Sequence, residues 1–533
     1  MLQRIAHLAI AAPRRILAVA ALVMVAAAIF GLPVAKSLSA GGFQDPESES
    51  ARAVHLLTDK FGQSDQQLVL LVTAPGGAQS AQARHVATDI VDQLKRSAGV
   101  YNVSSAWTGP AAGPGHLAAD LVSKDGKSGL IVANLKGGEN NAQNYAKTLS
   151  QQVVHDRDGV TVRAGGVAMV YAQINHQNER DLLLMESIAI PLSFLVLVWV
   201  FGGLLTAALP VGLGGLAIVG SMSVLRLISL GTDVSTYALN LSSAMGLALA
   251  IDYTLLIISR YRDELADGRD QDEALIRTMV TAGRTVLFSA TTVALSMAVM
   301  VLFPMYFLKS FAYAGVATVA FVAVAAIVVT PAAIVLLGPR LDALDVRRLG
   351  RRILGRRDPV RKPVEQLFWY RSTKFVTRLA VPIGLAVVVL LLVLGIPFLS
   401  VKWGMPDDRV LPASASAHAV GDQLRRDFTD DSATAVPVVI PDVRGVSPAD
   451  LDRYEADLSR VANVSAVSAP TGTFAAGNRV GPPSAPTGMT GGSAFLTVAS
   501  TAPLFSQASR TQLDRLHAVA GPAGRSVEMA GLA

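Results

Sequence analysis

Hydrophobic positions in this chain fall in long, nearly unbroken blocks. Between the blocks lie mixed stretches where apolar residues alternate or recur at helical spacing. The blocks cover residues 16–34, 182–201, 204–225, 237–258, 286–303, 311–337 and 379–399. At ~1.5 Å rise per residue, each is about long enough to cross a ~30 Å hydrocarbon core as a helix. They divide the chain into a short N-terminus with a first crossing (1–35), a polar region (36–181), five close-set crossings (182–338), a basic linker (339–378), a seventh crossing (379–399) and a second polar region (400–533). The first block has one alternative reading, a cleaved signal peptide ending near Ser37-Leu-Ser-Ala40. The equivalent helix at 379–399 argues against it.

In the first polar region, residues 67–73, 100–107, 128–135 and 160–164 have strand character, and 80–95 and 140–155 have helical spacing. The order β-α-β-β-α-β is that of a ferredoxin-like unit. The second region repeats it, with strands at 435–440, 464–467, 493–499 and 525–529 and helices at 448–461 and 507–519. Val100-Tyr-Asn-Val-Ser-Ser matches Val461-Ala-Asn-Val-Ser-Ala, and Thr161-Val-Arg-Ala-Gly-Gly-Val-Ala168 matches Ser526-Val-Glu-Met-Ala-Gly-Leu-Ala533. This is the mark of a tandem duplication whose unit is one helix, one polar domain and five helices. The expected fold is a membrane α-helical bundle carrying two α+β ferredoxin-like, extracytoplasmic, porter-like domains. The second repeat is incomplete, stopping at Ala533 before an eighth crossing. The expectation is a fragment, a truncated product, or a chain that works with a second half-transporter, because parallel-repeat transporters place their coupling sites between halves.

Composition and charge narrow the class. Of 533 residues, 51% are hydrophobic, and the mean hydropathy is +0.43. There is no cysteine, which excludes disulfide frameworks, zinc–thiolate sites, iron–sulfur clusters and cysteine nucleophiles. The eight histidines all lie outside the apolar blocks, so an intramembrane histidine relay is excluded. The net charge of +6 is concentrated at 339–378, from Arg340 through Arg347, Arg348, Arg351, Arg352, Arg356, Arg357, Arg361, Lys362, Arg371 and Lys374. That bias places the linker and the N-terminus in the cytoplasm of a multi-pass protein of the cell membrane, and it reads as topology rather than nucleic-acid binding. A contact of the linker with anionic lipid is a secondary reading. The charged stretch 260–284 reads as an amphipathic interfacial helix. No Gly-x-x-x-x-Gly-Lys-Ser/Thr loop is present, so an ATP-driven mechanism is not expected.

The fourth block holds the candidate chemistry. Asp252, followed by Tyr253, stands in an apolar run where a carboxylate costs roughly 2.5–3.5 kcal/mol. Three readings follow: a proton carrier in a dry, protein-lined position, a structural carboxylate paired with a helix hydroxyl, or an interfacial residue of a misplaced helix. Tyr253 faces another side of the helix and either donates to a partner carboxylate or simply packs. Ser289, in the next crossing, can bond Asp252 directly or through a water, although hydroxyls are common packing residues in membrane helices. Gly246 and Ala250, with Ala244 and Ala248, form a small-residue surface for close helix approach.

Gly246-Leu-Ala-Leu-Ala-Ile-Asp-Tyr253, Ser259-Arg-Tyr-Arg-Asp-Glu264 and Thr281-Ala-Gly-Arg-Thr-Val-Leu-Phe-Ser289 closely resemble the MmpL (mycobacterial membrane protein large) family of the RND superfamily. The resemblance covers the whole chain. It implies a twelve-helix exporter that moves lipids or other hydrophobic compounds to the cell envelope by proton antiport, with no cofactor beyond the proton gradient and no metal. It further implies that Asp252 and Tyr253 form half of the proton relay, that Ser289 aligns with a relay serine, and that a matching Asp-Tyr pair belongs to a second half. Two other functions stay open: a lipid-binding sensor or scaffold, since 182–337 also resembles sterol-sensing bundles, and an inactive truncated transporter. The polar regions show no nucleophile–base pattern, so an enzyme is not expected.

Overall fold

The computed structural model describes residues 1–38, 40–108, 121–338, 340, 368–401, 404–428 and 435–531. Seven helices among them are long and apolar enough to cross a membrane. An amphipathic helix α1 (Leu2–Ala11) leads through Ala12 into α2 (Pro13–Gly31), whose proline occupies the first turn, where its missing N–H costs nothing. Then follow α6 (Val167–Phe201), α7 (Leu204–Ser229), α8 (Thr236–Ala266), α9 (Gln271–Ala298) and α10 (Tyr306–Leu337). Helix α6 begins well before its apolar block, so it runs unbroken from the polar region into the bundle.

The stretch 260–284 is not a separate interfacial helix. Helix α8 continues through it to Ala266, and α9 starts at Gln271. Its charges are absorbed where they stand. Glu264 pairs with Arg260 at 2.5 Å and with Arg269. Asp270 caps α9 by accepting the Glu273 N–H at 2.9 Å. Nothing before Gly268 breaks the helix, so the turn is confined to a few residues.

Helices α7, α8 and α10 meet at small residues. Gly246 is buried, and a Cβ there would touch Thr318 Cγ2 at 3.4 Å and Ala217 Cβ at 3.5 Å. Ala312, Ala314, Gly315, Ala323 and Ala326 line the buried side of α10. Such residues let backbones approach closely where no hydrophobic effect drives helix association.

The first polar region forms a four-stranded antiparallel sheet of β1 (Gln67–Thr73), β2 (Val100–Ser105), β3 (Ser128–Leu135) and β4 (Thr161–Gly165), in the order β2-β3-β1-β4. Helices α4 (Ala81–Arg96) and α5 (Gly138–Val153) cover one face over Leu68, Leu70, Val72 and Ile131. The second region repeats the plan with β5 (Val436–Ile440), β6 (Val464–Ala469), β10 (Ser493–Ser500) and β11 (Glu528–Met529). A further β7 (Gly472–Ala475), β8 (Asn478–Gly481) and β9 (Gly488–Thr490) extend the sheet. The register is copied: Leu70 lies between Ile131 and Ala164, as Val438 lies between Leu496 and Met529. The aligned glycines Gly166 and Gly531 both take positive φ, +86° and +136°, a conformation that costs glycine little.

Each sheet's other face is covered by a helix from the opposite region. The helix α3 (Glu49–Phe61) packs Ala53 and Leu57 on Val439, Phe495 and Ala530. The helix Ser416–Asp427 packs Val420, with Phe428, on Val69, Leu71 and Leu130. Polar ties fix both: Met529 N–H donates to Glu49 Oε1 at 2.9 Å, and Ala417 N–H donates to Gln173 Oε1 at 3.1 Å. These two helices and the β7–β9 extension are additions to the six elements expected in each region.

Residues 195–207 and 339–405 form a second compact unit. In it, Phe368–Arg378 precedes Ala380–Gly395, which is apolar and exposed along its length. Trp403 and the linker basics from Arg347 to Lys362 lie outside the described residues.

Within the second domain, Glu455 is 1% exposed. One oxygen accepts from Thr471 Oγ1 at 2.7 Å, and the other has no partner. Burial pushes its carboxyl up from 4.5 to about 7. A raised carboxyl stabilises the fold fully below about pH 4.5 and loses that contribution as pH rises through about 7. Glu455→Gln is therefore expected to match the parent chain at pH 4 and to exceed it at pH 8, by on the order of 3 kcal/mol at most. Thermal unfolding of the detergent-solubilised chain at both pH values checks this, and parallel pH profiles for the two proteins would contradict it.

Candidate functional site

The rotation of α8 decides what its polar residues meet. Gly246, Ala250, Tyr253 and Ile257 recur at helical spacing on its buried side. Asp252, one residue and about 100° away from Tyr253, consequently lies on the exposed side in line with Ala244, Ala248 and Leu256. The described residues of this chain supply no protein lining over Asp252. Within this chain it stands on the outer surface of the bundle and makes no hydrogen bond or ion pair among the described residues. What surrounds it is a strip of small and apolar side chains.

Tyr253 is 4% exposed. Its hydroxyl is buried without a well-formed hydrogen bond, and the half-buried Ser289 of α9 is a near neighbour whose geometry falls short of one. Ser289 stands nearer to pairing with Tyr253 than with Asp252, with a hydrogen bond formed to neither among the described residues. The structure brings Tyr253 and Ser289 together, sets Gly246 and Ala250 behind them against α7 and α10, and turns Asp252 outward. Around Asp252 and Ser289, α9 presents Thr285, Phe288 and Thr292 to the outside, with Thr285 and Thr292 bonded back to their own helix.

A second intramembrane acid went unread in the sequence. Glu186, in the α6 block, accepts a hydrogen bond from Ser243 of α8, and Ser243 is buried. Ser243 lies nine residues before Asp252, roughly 13 Å along the helix axis. The signal was present as one carboxylate among Leu182, Leu183, Leu184 and Met185. It stands near the block's end, where acids are ordinary.

A third acid ties the first polar domain to the bundle. Glu139 of α5 accepts the Gly42 N–H at 2.9 Å and the Tyr306 hydroxyl at 2.6 Å. Gly42 belongs to the segment leaving α2, and Tyr306 opens α10. Gly42 has φ +97°, and a Cβ there would fall 2.4 Å from the Tyr306 ring, so only glycine fits. Beside this latch, Phe43 stacks 4.7 Å from Phe307, and Tyr237 lies 5.7 Å from Phe307. Burial pushes the Glu139 carboxyl above the usual range, and the charges of Asp65 and Asp233 add to the rise. The Tyr306 and Gly42 bonds oppose it.

No group of three or more His, Asp or Glu side chains suited to a metal occurs among the described residues. The pattern of the MMPL family matches residues 42–394. The chain is 32% identical over 410 residues to the probable trehalose monomycolate exporter MmpL3 of Mycobacterium leprae, covering 72% of this chain and 42% of that protein. It is 31% identical over 433 residues to the trehalose monomycolate exporter MmpL3 of Mycobacterium tuberculosis, covering 77% and 45%. It is 27% identical over 391 residues to the mycolic acid-containing lipids exporter MmpL11 of Mycolicibacterium smegmatis, covering 72% and 39%. The matched part of the chain thus spans less than half the length of these relatives.

Tyr306→Phe removes a donor that stabilises the Glu139 carboxylate, so the carboxyl is expected to titrate at still higher pH. The carboxylic C=O stretch in infrared difference spectra, assigned by its loss in Glu139→Gln, reads this directly. A titration unmoved by Tyr306→Phe would show that the hydroxyl does not hold the charge.

Proposed function

We propose a transport role from one premise: the chain belongs to the MMPL family. It is a membrane protein whose named relatives are exporters rather than enzymes. In this reading it takes part in exporting lipids or other hydrophobic compounds across the cytoplasmic membrane to the envelope. The proton gradient drives the export, no cofactor is needed, and the N-terminus is inside. The polar regions act as two ferredoxin-like extracytoplasmic domains. The β-α-β-β-α-β order and the strand order of both sheets support that assignment.

The observation that carries the reading is the outward position of Asp252 on a small-residue strip of α8. A carboxylate facing hydrocarbon is costly, whereas one facing a second helical surface is usable. Ala244 and Ala248 are the residues that let such a surface approach. We assign that surface to a second half of the transporter, in the same or another chain, since the relatives are more than twice as long as their matched parts. Asp252 then takes and releases the proton, Tyr253 donates toward the facing half, and Ser289 orients Tyr253.

One proton falling through ~100 mV yields about 2.3 kcal/mol. Neutralising Asp252 removes the charge between the halves and shifts the balance between two packings of the helices. The movement reaches the outer domains through α6, which is continuous with the first domain. It also reaches them through α10, which Tyr306 ties to Glu139.

In the complete transporter, Asp252→Asn is expected to abolish proton-driven export of a labelled glycolipid from proteoliposomes while protein yield is unchanged. Full export by that variant would remove Asp252 from the relay. Parent export that survives collapse of the proton gradient would refute proton coupling, and saturable lipid binding without export would favour the sensor reading.

A further inference from the structure

Helix α1 packs on the first half of α9 and on α10 with Ala6 and Ala9 buried, and Leu2 sits against Gly283 of α9. Leu8, 55% exposed, points away from the protein. This is how an interfacial helix rests at a membrane surface. Between α1, α8 and α9 is a cavity of about 270 Å³, several times the ~30 Å³ share of one water. Gln3, Arg260, Glu264, Arg277 and Thr281 supply its polar walls, and Ile276 and Val280 its apolar side.

The charges in the cavity are unequally satisfied. Glu264, 1% exposed, is covered twice, by Arg260 at 2.5 Å and by Arg269. Arg277 reaches only Glu273, at 3.7 Å, with both side chains more than half exposed. Arg260 Nε is buried and has no acceptor. Arg4, next to Gln3, and Arg284, one turn beyond Thr281, are exposed and have no ion pair among the described residues. The cavity lining therefore has two guanidiniums against one carboxylate, with Glu273 beside Arg277 at 3.7 Å, a spare Arg260 N–H donor, and two further cations, Arg4 and Arg284, close in sequence to lining residues. That set matches a phosphate, which guanidinium binds with charge-assisted hydrogen bonds.

The surroundings distinguish a lipid from a free anion. Arg277, Thr281, Arg284 and Phe288 follow one another along one face of α9, and all are exposed. Phe288 is 75% and Leu295 65% exposed. The face thus changes from cationic to apolar along the helix, as a phospholipid changes from head to tail. Basic pockets between membrane helices at the inner surface take anionic headgroups by this chemistry.

We propose that this cavity binds the phosphate headgroup of an anionic phospholipid, whose acyl chains run along the Phe288–Leu295 face of α9. The site rests on the transport reading only for the name of its leaflet, the cytoplasmic one. Bound there, the lipid bridges α1 to the α8–α9 turn and holds the helix that carries Asp252 at its inner end.

Native mass spectrometry of the detergent-released full chain, titrated with dioleoyl phosphatidylglycerol or dioleoyl phosphatidylcholine, tests the site. Phosphatidylglycerol is expected to bind about tenfold more tightly, and Arg277→Gln and Arg284→Gln each to weaken it several-fold, as lost charge-assisted bonds do. Arg260→Gln is expected to act more strongly. Should it fail to fold, the two exposed variants decide. Equal binding of both lipids, or unchanged phosphatidylglycerol binding in folded Arg277→Gln and Arg284→Gln, would overturn the proposal. Displacement of the lipid by millimolar inorganic phosphate would overturn the lipid assignment in favour of a free anion. Asp252→Asn is expected to retain the adduct, so a failed relay and a failed lipid site give different results.

Discussion

The close approach of α7, α8 and α10 at Gly246 is the contact on which the site depends. It fixes the rotation of α8, and rotation alone decides the fates of two adjacent residues. Tyr253 is turned into the bundle beside Ser289, and Asp252 is turned out. An alanine Cβ at Gly246 would already be in van der Waals contact with Thr318 and Ala217, so this is where the three helices come close. A packing detail with no chemistry of its own therefore sets which group meets the next surface and which is sealed from it.

Three carboxylates stand along the helical bundle and at its junction with the first polar domain. Asp252 is on the open face of α8, Glu186 is held by Ser243 further along, and Glu139 sits where the first domain meets Gly42 and Tyr306. Burial makes the charged form of Glu139 the costlier one, so that junction responds to protonation more than a surface carboxylate would. The mechanical links are equally direct. Helix α6 is shared between the domain and the bundle, and the Glu139 latch joins three segments at two atoms' reach.

Much of this architecture was legible because apolar blocks of membrane length leave few alternatives, and the strand Ser128–Leu135 was read residue for residue. The exchanged helices were not read. Their buried faces are made largely of alanine, such as Ala51 and Ala53 in α3, and carry a weak periodic signal. A clue was nonetheless present. Val69, Leu70, Leu71 and Val72 are consecutive apolar residues, and an unbroken apolar strand implies cover on both faces. Strands β7 to β9 were hidden by glycine, proline and threonine, which read as loop. The outward rotation of Asp252 was illegible for another reason: α8 is apolar on every side, so no local pattern fixes its phase.

The reciprocal helix exchange has a consequence for biosynthesis. Val69, Leu71 and Leu130 on the first sheet gain much of their cover from Val420, Leu424 and Phe428. A ribosome adding ~5–20 residues per second reaches those positions roughly 250 residues after the first sheet is finished, on the order of tens of seconds later. Throughout that interval a greasy β-surface stands partly bare. The nascent protein therefore needs a chaperone, or the bilayer surface itself, to shield that surface until translation delivers its lid.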